Sequence, residues 1–263
     1  MKLVAWNVNS IRARHDRVLA FLDREQPDAL CLQETKVTDD VFPFDALREV
    51  GYHAAAYGQK TYNGVAIISK HEPQNVTIGF DDGEEEDPQA RLIAADVNGV
   101  RVISGYFPNG KSVGTDKWHY KLAWMKRLRA YLDRLDKNQP IALLGDYNVA
   151  PEDERDMANP DKWQGSVLAH EDARAGITAL RDWGLMDAVR LVDHGPGPWS
   201  WWDYRSLGFQ RGDGLRIDHV YVTPLLARRV ADAYVDRDER RDTSSQEGGS
   251  KPSDHAPVIV ILE

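Results

Sequence analysis

The stretch IALLGDYNVAP (141–151) constrains this chain more than any other. Residues 141–144 are apolar, uncharged and preceded by Pro140, the pattern of a short buried strand. The run passes straight into Gly145, Asp146, Tyr147 and Asn148, and Pro151 stops any return to regular structure. An ionised Asp in an apolar setting is costly unless a cation or hydrogen-bond donors compensate it. Alternation along an extended chain would put Asp146 and Asn148 on the same side. Gly, Asp and Asn also favour strand-end turns for backbone reasons. Taken alone the stretch reads equally well as a turn, so the question is whether other strands end the same way.

Several do. Residues 2–8 alternate around Val4 and Trp6 and end at Asn7, Val8 and Asn9. Ser10 is placed to cap a helix with Ile11, Val18, Leu19, Phe21 and Leu22 at helical spacing, which Pro27 ends. Residues 29–32 form a second apolar run that delivers Gln33 and Glu34. A helical stretch over 44–50 leads to a strand at 64–69. The runs 92–96 and 100–106 flank Asn98-Gly99, a strong hairpin signal, and exit through Tyr106, Asn109 and Lys111. The longest helical pattern covers 115–136, with Trp118, Leu122, Met125, Leu128, Leu132 and Leu135 on one face. Residues 152–165 lack periodicity, and 171–183 read as a helix closed by Gly184. A strand over 215–222 alternates around Asp218, and Asp254 and His255 precede the last strand, 259–262. With frequent hairpins and no linker or repeat, the expectation is an α+β fold in one domain over 1–263. Its two mixed, largely antiparallel sheets would be covered by helices.

Composition sets outer bounds. The single cysteine, Cys31, cannot form an internal disulfide. No apolar segment reaches the roughly 18 residues of a membrane span, and no signal peptide is visible, so a cytoplasmic protein without a membrane partner is expected. The 33 Lys and Arg against 42 Asp and Glu leave a net charge of −9, which speaks against a nucleic-acid partner unless a local basic rim exists. Part of that charge is the run 81–87, which reads as a solvated loop.

Each polar strand end has a plain structural explanation. Glu34 reads as a surface acid, Asp218 as an ion-pair partner of Arg216, and His255 as a loop histidine. Together they form an oxygen-rich set with one His and no usable Cys, which suits Mg²⁺ or Mn²⁺ rather than structural zinc. A hard cation with Asp, Asn, His and Tyr is a kit for phosphoester hydrolysis. With no serine elbow or reactive cysteine, direct attack by water is preferred to a covalent intermediate.

Seven blocks carry a resemblance: WNVNSIRAR (6–14), LQETK (32–36), NGVAIISK (63–70), YFPNG (106–110), GDYNVAPEDERD (145–156), GLRID (214–218) and KPSDHAPV (251–258). In this order they resemble the exonuclease III family of AP endonucleases, within the endonuclease/exonuclease/phosphatase superfamily, across essentially the whole chain. The resemblance implies a four-layer αββα sandwich with the site at one edge of both sheets. It implies metal ligation by Glu34, supported by Asn7 and, depending on the metal state, Asp254, Asp146 and Asn148. Asp146 would orient or deprotonate the attacking water. His255 would bind the scissile phosphate with Asp218 holding its ring, and Tyr106 and Asn148 would hydrogen-bond the phosphate. Trp201, Leu215 and Ile217 match positions that form an apolar pocket for a base-less sugar, and Asn109 and Lys111 would line the phosphate track. Without the resemblance, Trp199, Trp201 and Trp202 read as core aromatics. The implied activity is Mg²⁺-dependent repair of duplex DNA by a monomer, cutting 5′ to abasic sites and trimming 3′ ends. Two rivals stay open: a phosphatase or phosphodiesterase acting on small or lipid phosphoesters, and a non-catalytic DNA-binding module.

Overall fold

The computed structural model describes residues 1–246 and 249–263. In chain order the strands are β1 (Lys2–Asn7), β2 (Ala29–Gln33), β3 (His53–Tyr57), β4 (Val65–Ser69), β5 (Gln74–Ile78) and β6 (Leu92–Val97). They continue with β7 (Val100–Tyr106), β8 (Ile141–Asp146), β9 (Met186–Asp187), β10 (Asp218–Val222), β11 (Val230–Val235) and β12 (Val258–Leu262). They build two six-stranded sheets, ordered β11-β12-β1-β2-β4-β3 and β5-β6-β7-β8-β10-β9. All pairings are antiparallel except β1–β2 and β7–β8. Each parallel pair needs a crossover, supplied by helices α1 (Ile11–Glu25) and α3 (Asp116–Asp133). Between them in the chain lies the short α2 (Phe44–Glu49).

Strand alternation divides the apolar residues among three cores. Leu3, Ala5, Cys31 and Ile67 of the first sheet face Ile93, Val102, Leu144 and Val220 of the second. Val4, Trp6, Leu30 and Leu32 point the other way, onto Ile11, Val18, Phe21 and Leu22 of α1. Ile103, Leu143 and Tyr221 on the outer face of the second sheet pack against α3 and against α6 (Glu171–Trp183). The result is the expected αββα sandwich. The strands read as continuous apolar runs because both faces are covered, each fully buried Leu or Val contributing about 1.5–3 kcal/mol.

Local signals hold at several points. Ser10 accepts from the Ala13 N–H at 3.4 Å to cap α1, and both Asn98 and Gly99 have positive φ, 49° and 79°, as the tight β6–β7 turn requires. The expected face of α3 is partly wrong. Lys121, Trp124 and Tyr131 are buried with Trp118, Met125, Leu128 and Leu132, whereas Leu122 is only partly covered and Leu135 lies past the helix end. Lys121 belongs to the same helical stripe as Trp118, Met125 and Leu128, and its charge is met by backbone oxygens beneath the helix. The stretch 152–165, expected to be irregular, holds two single-turn helices, α4 (Asp153–Asp156) and α5 (Pro160–Trp163). The Arg216–Asp218 ion pair does not form: Arg216 precedes β10 and reaches Asp156 (2.6 Å) and Asp187 (2.8 Å), while Asp218 is engaged by Ser200 and His255.

Candidate active site

The C-terminal ends of both parallel pairs meet at one edge of the sandwich. Asn7 ends β1, Glu34 follows β2, Tyr106 ends β7 and Asp146 ends β8. Asp218 opens the antiparallel β10, opposite Asp146 in the register, and Asp254 and His255 stand just before β12. Because β12 and β10 run against their neighbours, their starts lie where β1 and β8 end.

Asn7 joins the two sheets. Its side-chain amide donates to Glu34 Oε1 and to Asp146 Oδ2, each at 3.0 Å, while its own Oδ1 accepts from the Asn9 N–H at 3.0 Å. The Tyr106 hydroxyl donates to the same Glu34 oxygen at 2.8 Å. Glu34 has a positive φ of 53°, a backbone strain of about 1–3 kcal/mol of the kind that collects at functional sites. Burial raises its pKa, but Lys36 at 2.8 Å and Asn7 outweigh this and hold the carboxyl below its ordinary range.

The second sheet places Asp146 through a close contact. A Cβ on Gly145 would lie 1.8 Å from the Gly105 carbonyl oxygen on the paired β7, so only glycine can stand before the Asp. Asp146 and Asn148 do meet, but not by the alternation expected of an extended chain. The backbone turns at Asn148 (φ 50°), whose N–H donates to Asp146 Oδ1 at 2.8 Å and whose side chain donates to Oδ2 at 3.1 Å. Asn109 in turn donates to Asn148 Oδ1 at 2.9 Å. Burial, then the charge of Asp218, push the Asp146 pKa up against the pull of His255 and Asn7.

Asp218, His255 and Ser200 form a buried triplet. His255 Nδ1 donates to Asp218 Oδ2 at 2.8 Å, and the Ser200 hydroxyl donates to that oxygen at 2.6 Å. Nε2 is left facing Asp146 Oδ2 at 3.8 Å, a gap open toward the cavity. Burial works against charge on His255, yet the carboxylates of Asp218 and Asp146 outweigh it and raise the imidazole pKa. Burial and the charge of Glu34 raise Tyr106 well above the usual phenol range, so it remains a donor.

A cavity of about 240 Å³ opens here, lined by Glu34, Tyr106, Asn109, Asp146, Asn148, Leu168, Trp201, Ile217, Asp254 and His255. Nine of these ten are residues singled out in the sequence. Asn7, Asp218 and Leu215 stand behind the lining, and Lys111 is exposed beyond it. Trp201 is half-buried and its indole donates to Asp254 Oδ2 at 3.0 Å, whereas Trp202 is the core aromatic, 1% exposed. Leu168 and Ser200 were missed, and Asn9, noted in the sequence only as a polar strand end without a role, donates to Asp254 Oδ1 at 2.9 Å. No periodicity marks them, since all three sit in loops.

The donor set fits a hard cation. Glu34, Asp146 and Asp254 offer carboxylate oxygens around one cavity, and among the described residues Asp146, Asp218 and His255 form an acid–histidine group compact enough to hold a metal ion.

A twin-sheet αββα sandwich with this acid–amide–histidine edge defines a class of phosphoester hydrolases. The sequence profile of the Endonuclease/Exonuclease/phosphatase family matches residues 4–255, and the chain belongs to that family. It is 38% identical to exodeoxyribonuclease III of Haemophilus influenzae, covering 98% of both chains. It is 34% identical to an exodeoxyribonuclease of Bacillus subtilis, covering 100% of this chain and 99% of that protein. Among solved structures, an AP endonuclease from Archaeoglobus fulgidus superposes with a TM-score of 0.93 at 38% identity, covering 100% of this chain and 99% of that one. The Neisseria 3′ phosphatase NExo, bound to a product DNA hairpin, gives 0.94 at 40% identity with the same coverage. This chain is accordingly a phosphodiester hydrolase of the exodeoxyribonuclease III and AP endonuclease kind.

Proposed function

We propose that the chain is a Mg²⁺-dependent DNA-repair nuclease, active as a single-domain monomer in the cytoplasm, with Mn²⁺ as an alternative ion. It hydrolyses duplex DNA 5′ to abasic sites and removes nucleotides or blocking groups from 3′ ends. The observation that carries this reading is the cavity itself. At about 240 Å³ it lies below the ~300–1,000 Å³ of ordinary ligand pockets. Its acid–histidine wall faces an apolar wall of Trp201, Ile217 and Leu168, with Leu215 behind. Such a space suits a deoxyribose extruded from the duplex without its base and disfavours extrusion of an internal nucleotide that still carries one.

The roles follow from the contacts. Glu34 and Asp254, with Asn7, Asp146 and Asn148, would hold the ion, which supplies charge neutralisation at a phosphate oxygen when bound. Asp146, buried and raised in pKa, takes a proton from water as the water oxygen bonds to phosphorus. The bond from phosphorus to the 3′ oxygen breaks and that oxygen takes a proton from solvent water, leaving a 3′-hydroxyl on one side and the phosphate on the 5′ end of the other. His255, kept protonated and oriented by Asp218, donates from Nε2 to a phosphate oxygen. Tyr106 and Asn148 donate to the remaining oxygens, and Asn109 and Lys111 guide the flanking backbone. The acidic total charge makes binding of undamaged DNA steeply salt-dependent.

The test is one labelled duplex with a single abasic analogue, incubated with Mg²⁺, Mn²⁺ or EDTA. Metal-dependent incision 5′ to the lesion is expected. Shortening from the 3′ end alone would remove the pocket from the reading, and no cleavage under any condition would overturn it.

A further inference from the structure

Lys121 is a buried amine that the chemistry above leaves unused; burial pulls its pKa down to about 7, while the charge of Asp146 and three carbonyl acceptors favour the ammonium form. It is 0% exposed on α3, and among the described residues no carboxylate lies within ion-pair reach of it. Its ammonium donates instead to three backbone carbonyls: Val167 at 2.7 Å, Asn148 at 2.8 Å and Asn109 at 3.2 Å. These oxygens come from three separate connections, those leaving β7, leaving β8 and entering α6. Each connection presents a side chain to the cavity, namely Asn109, Asn148 and Leu168.

The stem is fitted as closely as the head. A Cβ on Gly110, where φ is +91°, would come within 3.1 Å of Lys121 Cδ and 3.2 Å of Trp118 Cε3, so the loop lies directly on the aliphatic chain. Methionine would fill nearly the same volume but would leave three carbonyls without this donor, so the amine serves stability as well. What the ammonium adds is geometry. Three donors radiating from one atom fix three carbonyls, and hence three loops, relative to each other. The Asn148 carbonyl belongs to the residue whose amide side chain donates to Asp146 at 3.1 Å and accepts from Asn109 at 2.9 Å.

We propose that Lys121 is a positioning residue for phosphodiester cleavage: it gathers the loops of Asn109, Asn148 and Val167 so that the Asn148 carboxamide, braced by Asn109, is aimed at the scissile phosphate. It never touches substrate. The proposal rests on the nuclease reading of the cavity. Without the ammonium, the Asn148 carbonyl loses one of the contacts that hold its turn, and its amide drifts from the phosphate position.

The experiment compares wild type with Lys121→Met on the abasic duplex at saturating Mg²⁺, reading kcat, KM and the thermal melt. The expected result is a kcat lower by about 10²-fold, the scale of loss for misplacement by about 1 Å. KM should stay within about threefold of wild type, and the melt should remain cooperative. A folded variant with wild-type kcat overturns the proposal, as does a loss confined to KM. If Lys121→Met does not melt cooperatively, Lys121→Gln, which keeps two amide protons, is judged by the same criteria; failure of both to fold would reduce Lys121 to a scaffold role and overturn it too. Wild-type protein that cleaves nothing would sink the nuclease reading rather than the lysine proposal.

Discussion

Laid side by side, the strands β12-β1-β2-β4-β3 and β6-β7-β8-β10-β9 show the same run of pairings: antiparallel, parallel, antiparallel, antiparallel. Glu34 and Asp146 therefore occupy matching places, each at the end of the second strand of a parallel pair. Their surroundings differ. Glu34 lies one residue beyond its strand in a left-handed turn, its side chain 19% exposed, with Lys36 against it, and its pKa is lowered. Asp146 is the last residue of its strand, 1% exposed, with Asp218 as its neighbour across the register, and its pKa is raised. Two carboxylates pushed apart in this way suit the different tasks proposed for them, one staying ionised to hold a cation and the other able to accept and release a proton. The lesson is that equivalent strand positions acquire different chemistry from one residue of offset and one neighbouring charge.

The sharpest way to break this comparison is Asp146→Asn, expected to lower kcat by about 10²–10⁴-fold, the range for a lost general base. The same change should not lower the melting temperature at pH 7.5. A carboxyl whose folded pKa is raised stabilises the fold below its ordinary pKa and loses that contribution as pH rises through the folded value, so the neutral amide forfeits nothing at neutral pH. A melt well below wild type would show that the charge is structural. Glu34→Gln should act on the ion instead. The Mg²⁺ concentration for half-maximal rate should rise by at least about 10–100-fold, the loss usual even for groups behind a ligand, and a metal titration identical to wild type would remove Glu34 from the ligand set. Asp218→Asn comes next, with an activity loss of about 10–100-fold. Since Asp218 helps to raise the His255 pKa, the alkaline limb of the rate profile should move to lower pH, and an unmoved limb would detach His255 from the rate. The smallest effect belongs to Lys36→Met. Lys36 lowers the Glu34 pKa, so its loss should move the acid limb of activity to higher pH. It should also shrink the stability that Glu34 contributes above its ordinary pKa and that is lost as pH falls, which pH-dependent melts would detect.

Much of the edge was legible because strand ends carry a local signature: apolar runs stopping at Asn7, Glu34, Tyr106 and Asp146, and one starting just after Asp254, are visible without knowing which strands are neighbours. The cap at Ser10, the Asn98-Gly99 turn and the helix ending at Gly184 were legible for the same reason. What failed was non-local. Leu122 was expected on the buried face of α3 because helical periodicity counts apolar residues, whereas Lys121 is buried because carbonyls from three distant loops await it. Arg216 was paired with Asp218 by proximity in the chain, but carboxylates 60 and 29 residues away hold Arg216, and Ser200 and His255 hold Asp218.

The sequence by itself determined the strands, the helices that cover them and the chemical character of the groups at their ends, since these depend on residues a few positions apart. The tertiary structure alone decided that Asn7 bridges the carboxylates of two different sheets. It alone set His255 on Asp218 from 37 residues away and made Trp201, not Trp202, the wall of the cavity. Those contacts are fixed by how one twisted sheet packs on another, and a packing angle has no local signature in the chain.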